Sequence, residues 1–213
     1  MIYNLDIAKQ VAKSLLQINA IILQPNNPFK WAAGWNSPIY CDNRKTLSYP
    51  EIRNYIRQGL VAVIKNHYKG ANVIAGVATA GIPHGVLVAE ELGLPFIYVR
   101  AKAKEHGKQN QIEGYFEKGQ SVILVEDLIS SGKSSLEAAS ALKEVGMKVK
   151  GMVSIFTYGF DTAAENFKNA NCEYISLCDY NTLLPEAIKQ KYIDKEDLAI
   201  LKQWRENPSN WKQ

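Results

Sequence analysis

Between residues 72 and 177, short apolar runs alternate with amphipathic segments, and this alternation constrains the fold more than any other feature. Five runs have the pattern of buried strands, at 72–76, 95–100, 121–126, 148–156 and 172–177. Helical patterns follow three of them, at 83–92, 133–145 and 160–169. Strands alternating with helices favour parallel pairing through right-handed crossovers. We therefore expect an α/β fold with a central, mostly parallel five-stranded sheet flanked by helices.

One segment of this pattern carries recognisable chemistry. A buried apolar run leads into Glu126 and Asp127, and a turn of serines and one glycine, Gly132, then leads into a helical pattern. Ligands of open α/β sheets bind at the carboxyl ends of the strands. A helix N-terminus attracts phosphate, serine hydroxyls donate to phosphate oxygens, and carboxylates accept hydrogen bonds from sugar hydroxyls. The segment therefore predicts a site for a ribose 5-phosphate.

A P-loop is the competing interpretation of the same residues. Gly132, Lys133 and Ser134 resemble the end of that motif, but the motif needs a glycine five residues before Gly132, where this chain has Asp127. The glycine pair with the required spacing, Gly76 and Gly81, is followed by Ile82 and not by lysine. The sequence therefore argues against an ATP-binding P-loop.

Two further strand ends are suited to anions. Ala78, Thr79, Ala80 and Gly81 form a turn of small residues before a helix, where main-chain N–H groups can face a phosphate. The segment 101–115 has no apolar periodicity, and with Arg100 it is rich in cations. A long loop at the ligand-binding edge of an α/β domain is usually functional. Three such strand ends fit a substrate that carries several phosphates.

Composition narrows the class of protein. The chain has 213 residues, 46% of them hydrophobic, which is enough to bury one substantial core. A net charge of +4 without a long basic run gives no reason to expect nucleic-acid binding. Three cysteines without metal-ligand spacing predict reduced thiols, and no apolar run approaches membrane-spanning length. We expect a cytoplasmic protein that binds neither nucleic acid nor membrane.

The segment 122–135 resembles the phosphoribosyl-pyrophosphate (PRPP) signature of type I phosphoribosyltransferases. The segment 28–44, from Pro28 to Arg44, resembles the hood of the bacterial orotate phosphoribosyltransferases, as do 76–83 and 100–107. The resemblance covers nearly the whole chain. It implies the type I phosphoribosyltransferase fold and the conversion of orotate and PRPP to orotidine 5′-monophosphate and pyrophosphate in pyrimidine synthesis. It also implies Mg²⁺ and a homodimer whose loops are shared between subunits.

The resemblance also implies roles for particular residues. Lys104, His106 and Asp127 would be catalytic, and Ser130 would touch both PRPP and orotate. Mg²⁺ would bind through PRPP oxygens with no direct protein ligand. The pyrophosphate loop would be Ala78, Thr79, Ala80 and Gly81. The PRPP-binding residues would be Arg100, Lys104, His106, Glu126, Asp127, Leu128, Ile129, Ser130, Ser131, Gly132, Lys133 and Ser134.

The chain departs from the family pattern mainly around the base. Ala32 stands where many relatives have lysine, Thr79 and Ala80 replace a Tyr-Lys pair, and Tyr158 replaces a basic residue. Because the hood motif leads directly into Arg44, we expect this arginine to neutralise the orotate carboxylate.

We expect three regions: a hood at 1–68, a PRPP-binding core at 69–178 with a mobile loop at 101–115, and a helical tail at 179–213 that packs on the hood. Two other functions use the same fold, namely phosphoribosyl transfer to another base and a regulator that senses PRPP or a nucleotide. A Rossmann-type module is disfavoured, because no GxGxxG follows the first core strand.

Overall fold

The computed structural model describes residues 1–31, 34–101 and 111–212. A 3₁₀ helix at Asn43–Ser48 lies between β4 and α2. The other elements, in chain order, are α1 (Leu5–Gln17), β1 (Ile21–Leu23), β2 (Phe29–Lys30), β3 (Asn36–Ser37), β4 (Ile39–Cys41), α2 (Pro50–His67), β5 (Val73–Val77), α3 (Gly81–Leu92), β6 (Phe96–Val99), β7 (Ile112–Glu113), β8 (Ser121–Ile129), α4 (Lys133–Glu144), β9 (Lys148–Thr157), α5 (Asp161–Asn169), β10 (Tyr174–Asp179), α6 (Tyr180–Lys189) and α7 (Asp197–Glu206).

The central sheet has six strands in the order β10-β9-β8-β5-β6-β7. Five of them are parallel, as the alternating pattern predicts, and β7 runs antiparallel to β6. The expectation of five strands was therefore one too few. The extra strand lies inside 101–115, which the sequence presents as loop, because two residues are too short for a periodic pattern. Pairing with Tyr98 and Val99 makes Ile112 and Glu113 a strand.

Strand β8 lies at the centre of the sheet and extends further than its apolar run. It pairs with β5 as far as Val125 and with β9 as far as Ile129. Asp127, which follows the strand predicted at 121–126, is therefore inside the strand together with Glu126. Pairing with β9 continues the strand through these polar residues, which β propensity alone disfavours.

Both faces of the sheet are covered, as expected for parallel strands. On one face, Ile123 and Val125 belong to a hydrophobic cluster with α1, α2, α3, α6 and α7. On the other face, Val122 and Leu124 pack with α4 and α5. The alternation along β8 thus places one helical layer on each side of the strand that carries the acidic pair.

The N-terminal and C-terminal elements meet on the first face. Asn4 caps α1 by accepting hydrogen bonds from two main-chain N–H groups, and α1 lies against α6 and β10. Trp204 of α7 is fully buried and contacts Trp31 at a ring-centroid distance of 5.6 Å. In the part of the chain that the structure describes, no helix has the length and apolarity needed to cross a membrane.

Candidate active site

The acidic pair lies at the carboxyl end of β8. Glu126 is buried, and its Oε2 accepts a 2.9 Å hydrogen bond from the hydroxyl of Ser135 in α4. Its Oε1 accepts from the Asp127 main-chain N–H at 3.0 Å. Asp127 is half-buried. The strand and the first turn of α4 therefore fix Glu126, while Asp127 has access to solvent.

Burial makes both acids weaker. Loss of hydration raises the pKa of Glu126 well above its usual value, and the nearby Asp127 carboxylate raises it further. Burial also raises the pKa of Asp127, while a hydrogen bond from Glu126 opposes that rise. Burial therefore favours a protonated form of the acidic pair. A partly protonated pair can both donate to and accept from the two hydroxyls of a diol.

The turn after β8 presents main-chain N–H groups towards the same strand end. Gly132 is the N-cap of α4 with φ +78°, and as a glycine it has no side chain that could cap the helix. The first N–H groups of a helix have no partner within the helix, and the helix dipole makes this end positive. Asn166 of α5 donates to the carbonyl of Ser131 at 2.9 Å and holds the turn from outside. The arrangement can hold a phosphate.

The residues after Asp127 that the sequence predicts to bind PRPP lie in three different environments. Leu128 and Ser130 line a neighbouring pocket. Ile129 is buried, and its carbonyl accepts hydrogen bonds from Thr157 and Tyr158 of the β9 end. Its side chain is therefore part of the core. The exposed members of the segment are Ser131, Lys133 and Ser134.

The turn before α3 lies directly beside the acidic strand end. A Cβ on Gly81 would be 2.3 Å from the Val125 carbonyl oxygen and 3.3 Å from the Glu126 Cα, so only glycine fits. Ala78 lines a small cavity of about 30 Å³ together with Arg100 and Ser134. That cavity brings together the ends of β5 and β6 and the start of α4. The three anion-suited segments predicted from the sequence thus meet at one edge of the sheet.

Arg100 and Gln111, which flank the segment 101–110, are joined by two hydrogen bonds. The main-chain N–H of Arg100 donates to the Gln111 carbonyl, and the Gln111 side chain donates to the Arg100 carbonyl, both at 2.8 Å. The Arg100 guanidinium also lies 3.5 Å from a Glu113 carboxylate oxygen. Lys104 and His106, which the sequence predicts to be catalytic, lie outside the described residues.

A second pocket adjoins the acidic pair. It has a volume of about 350 Å³, within the usual range for a small-molecule site. Leu128 and Ser130 of the β8 segment form one wall. The remaining described lining residues are Lys30, Trp31, Tyr40, Cys41 and Tyr158.

The aromatic wall of this pocket is supported by the C-terminal part of the chain. The rings of Trp31 and Tyr158 lie 5.2 Å apart, and Trp204 of α7 packs edge-on against both. The adjacent Arg205 donates to the main-chain carbonyls of Tyr158 and Gly159. Helix α7 therefore holds both the ring and the main chain of Tyr158.

Arg44 is not among the described residues that line this pocket. Its guanidinium donates to both carboxylate oxygens of Asp42, at 2.6 and 3.0 Å. Lys30 lines the pocket instead, and among the described lining residues it is the one cation. From the sequence alone, Lys30 has no predicted role. The pairing of β2 with β3, where Lys30 is opposite Asn36, gives it this position.

Sequence reasoning also missed Asn43, Trp204 and Arg205. A Trp-Arg pair in a helical tail has no motif that links it to a ligand pocket. Asn43 follows Asp42 in the hood motif, but only the structure shows that its side chain reaches the main chain of Asp127.

Comparison with known proteins identifies the class of protein to which the chain belongs. Residues 51–181, more than half of the chain, match the phosphoribosyl transferase domain family. In solved structures, the chain is similar to the orotate phosphoribosyltransferase of Aeropyrum pernix, with a TM-score of 0.74 and 27% identity over 83% of this chain and 97% of that one. It is also similar to the UMP synthase of Leishmania donovani, with a TM-score of 0.77 and 27% identity over 93% of this chain and 42% of that one.

Curated relatives identify the particular family. The orotate phosphoribosyltransferase of Cytophaga hutchinsonii is 55% identical over 98% of this chain and 100% of its own length. That of Listeria innocua is 50% identical over 97% of this chain and 99% of its own. The chain belongs to the orotate phosphoribosyltransferases.

Proposed function

We propose that this protein transfers the 5-phosphoribosyl group of PRPP to orotate, giving orotidine 5′-monophosphate and pyrophosphate in pyrimidine biosynthesis. One observation carries the proposal. Leu128 and Ser130 line the acceptor pocket, and they directly follow the acidic pair in the same strand and turn. A ribose held by the acids can therefore present its C1 atom to a base in the pocket.

The ribose phosphate is held by the β8 end and the start of α4. The 5′-phosphate binds to the main-chain N–H groups that follow Gly132, and the serine hydroxyls donate to its oxygens. Glu126 and Asp127 bind the 2′ and 3′ hydroxyls. These contacts orient the sugar so that attack at C1 becomes effectively unimolecular.

The pyrophosphate leaves towards the turn at 78–81. Arg100 is at the end of β6 and lines the cavity that joins this turn to α4. Lys104 and His106 follow it in the chain and supply further positive charge as the leaving group develops negative charge. The resemblance assigns them this role.

Orotate occupies the pocket of about 350 Å³, with its ring against the aromatic side chains. Its carboxylate pairs with Lys30, which lines the pocket, whereas Arg44 is paired with Asp42. Ser130 donates a hydroxyl hydrogen bond to the base. The pocket therefore recognises a flat, negatively charged ring.

Mg²⁺ fits this site because hard oxygen ligands are available in it. PRPP oxygens would hold the ion, and the half-buried carboxylate of Asp127 lies at the same strand end. When bound, Mg²⁺ would neutralise part of the pyrophosphate charge. The protein itself supplies positioning and electrostatic stabilisation.

We also propose a homodimer in which the segment 101–115 of each subunit completes the partner's site. The resemblance carries this proposal. Mixing the Lys104→Ala and Asp127→Asn variants tests it, since a mixed dimer would contain one site without either substitution. Recovery of activity on mixing is expected, and the absence of recovery between dimers that exchange subunits contradicts sharing.

The enzymatic test is orotate consumption, followed by ultraviolet absorbance. Loss of orotate is expected only when PRPP and Mg²⁺ are both present, with pyrophosphate released in equal amount. Uracil, adenine and hypoxanthine serve as alternative acceptors. Faster turnover of one of these bases would assign the protein to another acceptor, and PRPP binding without any turnover would favour a sensor.

A further inference from the structure

Asn43 lies beneath the site and connects two of its parts. Its side chain is fully buried at the start of the 3₁₀ helix. The amide nitrogen Nδ2 donates to the main-chain carbonyl of Asp127 at 2.7 Å. The amide oxygen Oδ1 accepts from the Cys41 thiol at 3.4 Å. Because both ends of the amide are engaged, its orientation is fixed.

Asn43 lies beside the part of β8 where the strand loses one of its two neighbouring strands. Strand β5 pairs with β8 only as far as Val125. Among the described strands, the last four residues of β8 therefore have a partner on one side, β9. A buried carbonyl without a donor is costly, and Asn43 supplies a donor to Asp127 at this point.

A second set of contacts ties Asn43 to α3. The Thr46 hydroxyl donates to the Asn43 carbonyl at 2.6 Å and lies 3.3 Å from His84 Nε2. Since that hydroxyl has only one proton to give, Nε2 of His84 must carry a hydrogen and donate to it. His84 belongs to the helix that begins at the pyrophosphate turn. The network thus joins the acidic strand end, the hood and α3.

We infer that Asn43 is a positioning residue, which sets the orientation of the acidic end of β8 relative to the acceptor pocket. Cys41 lines that pocket, and Asp127 is at the acidic end, so one amide connects the two. The inference rests on the proposed function, because it concerns how Asp127 holds the ribose diol. Asn43 itself touches no reacting atom.

Calorimetric binding of two sugars tests the inference. Ribose 5-phosphate has both hydroxyls, whereas 2-deoxyribose 5-phosphate lacks one and retains the phosphate. In the wild-type protein we expect tighter binding of ribose 5-phosphate. In Asn43→Ala, which removes the donor to the Asp127 carbonyl, this preference should fall about fivefold or more. Affinity for the deoxy sugar should stay the same.

Asn72→Ala is the matched control. Asn72 Oδ1 accepts a 2.9 Å hydrogen bond from the Ser121 main-chain N–H, at the opposite end of the same strand. Its removal should lower the melting temperature without changing the preference for ribose. A general loss of stability therefore gives a different result from a loss of positioning.

A pair of substitutions at the other end of the amide tests the inference if Asn43→Ala does not fold. Cys41→Ser keeps a donor to Asn43 and should keep the ribose preference, whereas Cys41→Ala should reduce it. A folded Asn43→Ala or Cys41→Ala variant that keeps the full preference would overturn the inference. Equal affinity of the wild-type protein for the two sugars would instead contradict the diol site, and with it the proposed function.

Discussion

The two halves of the site are built in different ways. The ribose-phosphate half comes from one continuous segment, the end of β8 with the start of α4. Among the described residues, the acceptor pocket is lined by four separate parts of the chain: Lys30 and Trp31, Tyr40 and Cys41, Leu128 and Ser130, and Tyr158. Of these described parts, only the β8 segment contributes to both halves.

The difference determines what holds each half in place. Hydrogen bonds within neighbouring elements fix the ribose-phosphate half, such as the bond from Ser135 to Glu126. Aromatic packing fixes the pocket, and Trp204 contributes to it from the far end of the chain. Substitutions in the first half should therefore affect sugar binding and turnover, and those in the second should affect recognition of the base.

The largest effect is expected for Asp127→Asn. The amide has the size of the carboxylate but accepts diol hydrogen bonds less strongly, so kcat should fall about a hundredfold. The fold should remain intact, because the change removes repulsion between the buried Glu126 and the half-buried Asp127, whose pKa values burial has raised. Steady-state kinetics and thermal unfolding measure the two effects. Near-normal turnover would contradict the diol role.

Two glycines with positive φ, one in the phosphate turn and one between β2 and β3, test how tightly the phosphate turn is packed. Gly132 has φ +78° and an added Cβ would lie 2.5 Å from a Phe167 ring carbon, whereas Gly34 has φ +89° and no described atom within 4 Å. Both alanine variants incur the strain of the left-handed conformation, about 1–2 kcal/mol. Gly132→Ala should lose about 1–3 kcal/mol more, from overpacking. Equal losses in urea unfolding would contradict the tighter packing of the phosphate turn.

The network that joins the halves should make stability depend on pH. Burial, and then the charge of Arg53, lowers the pKa of His84 to about 4. The unfolded chain takes up this proton first, so the stabilisation is complete above pH 6.5 and is lost as the pH falls towards 4. From pH 7.5 to 5, the free energy of unfolding should fall about 2 kcal/mol more in the wild-type protein than in His84→Gln.

Urea unfolding at the two pH values measures this difference. Groups common to both proteins, including the acidic pair, cancel from the comparison. His67→Gln, which removes an exposed imidazole at the end of α2, is the control. Identical pH dependence of the wild-type protein and His84→Gln would contradict the burial of a neutral imidazole.

The smallest effect is expected in the acceptor half. Lys30→Ala should raise the orotate KM about tenfold, equivalent to about 1.4 kcal/mol, and leave the PRPP KM unchanged. Arg44→Ala removes a cation that is exposed and paired with Asp42, so its effect on the orotate KM should be smaller. The reverse order would favour Arg44, as predicted from the sequence, as the partner of the carboxylate.

The sequence predicts the ribose-phosphate half of the site better than the acceptor pocket. The order of the five parallel elements, the acidic pair and the turn at Gly132 are all local patterns, and the structure brings them to one edge of the sheet. Asp127 lies inside β8 and not after it, because the strand continues by pairing with β9, a tertiary effect that the local pattern does not encode.

The acceptor pocket could not be derived in the same way. Its residues are far apart in the chain, and their meeting depends on the packing of α7 against Trp31 and Tyr158. The strand β7 was missed because two residues carry no periodicity. Arg44 was chosen because it follows the hood motif directly, but a bidentate hydrogen bond to Asp42 is available two residues away.

A crystal structure of the protein with ribose 5-phosphate is the most direct test of how the β8 end works. The phosphate should bind to the main-chain N–H groups of the first turn of α4, and the two ring hydroxyls should lie within hydrogen-bonding distance of Glu126 and Asp127. The sugar C1 atom should face the pocket lined by Trp31 and Tyr158. Density for the sugar at another position, with this strand end empty, would contradict the account.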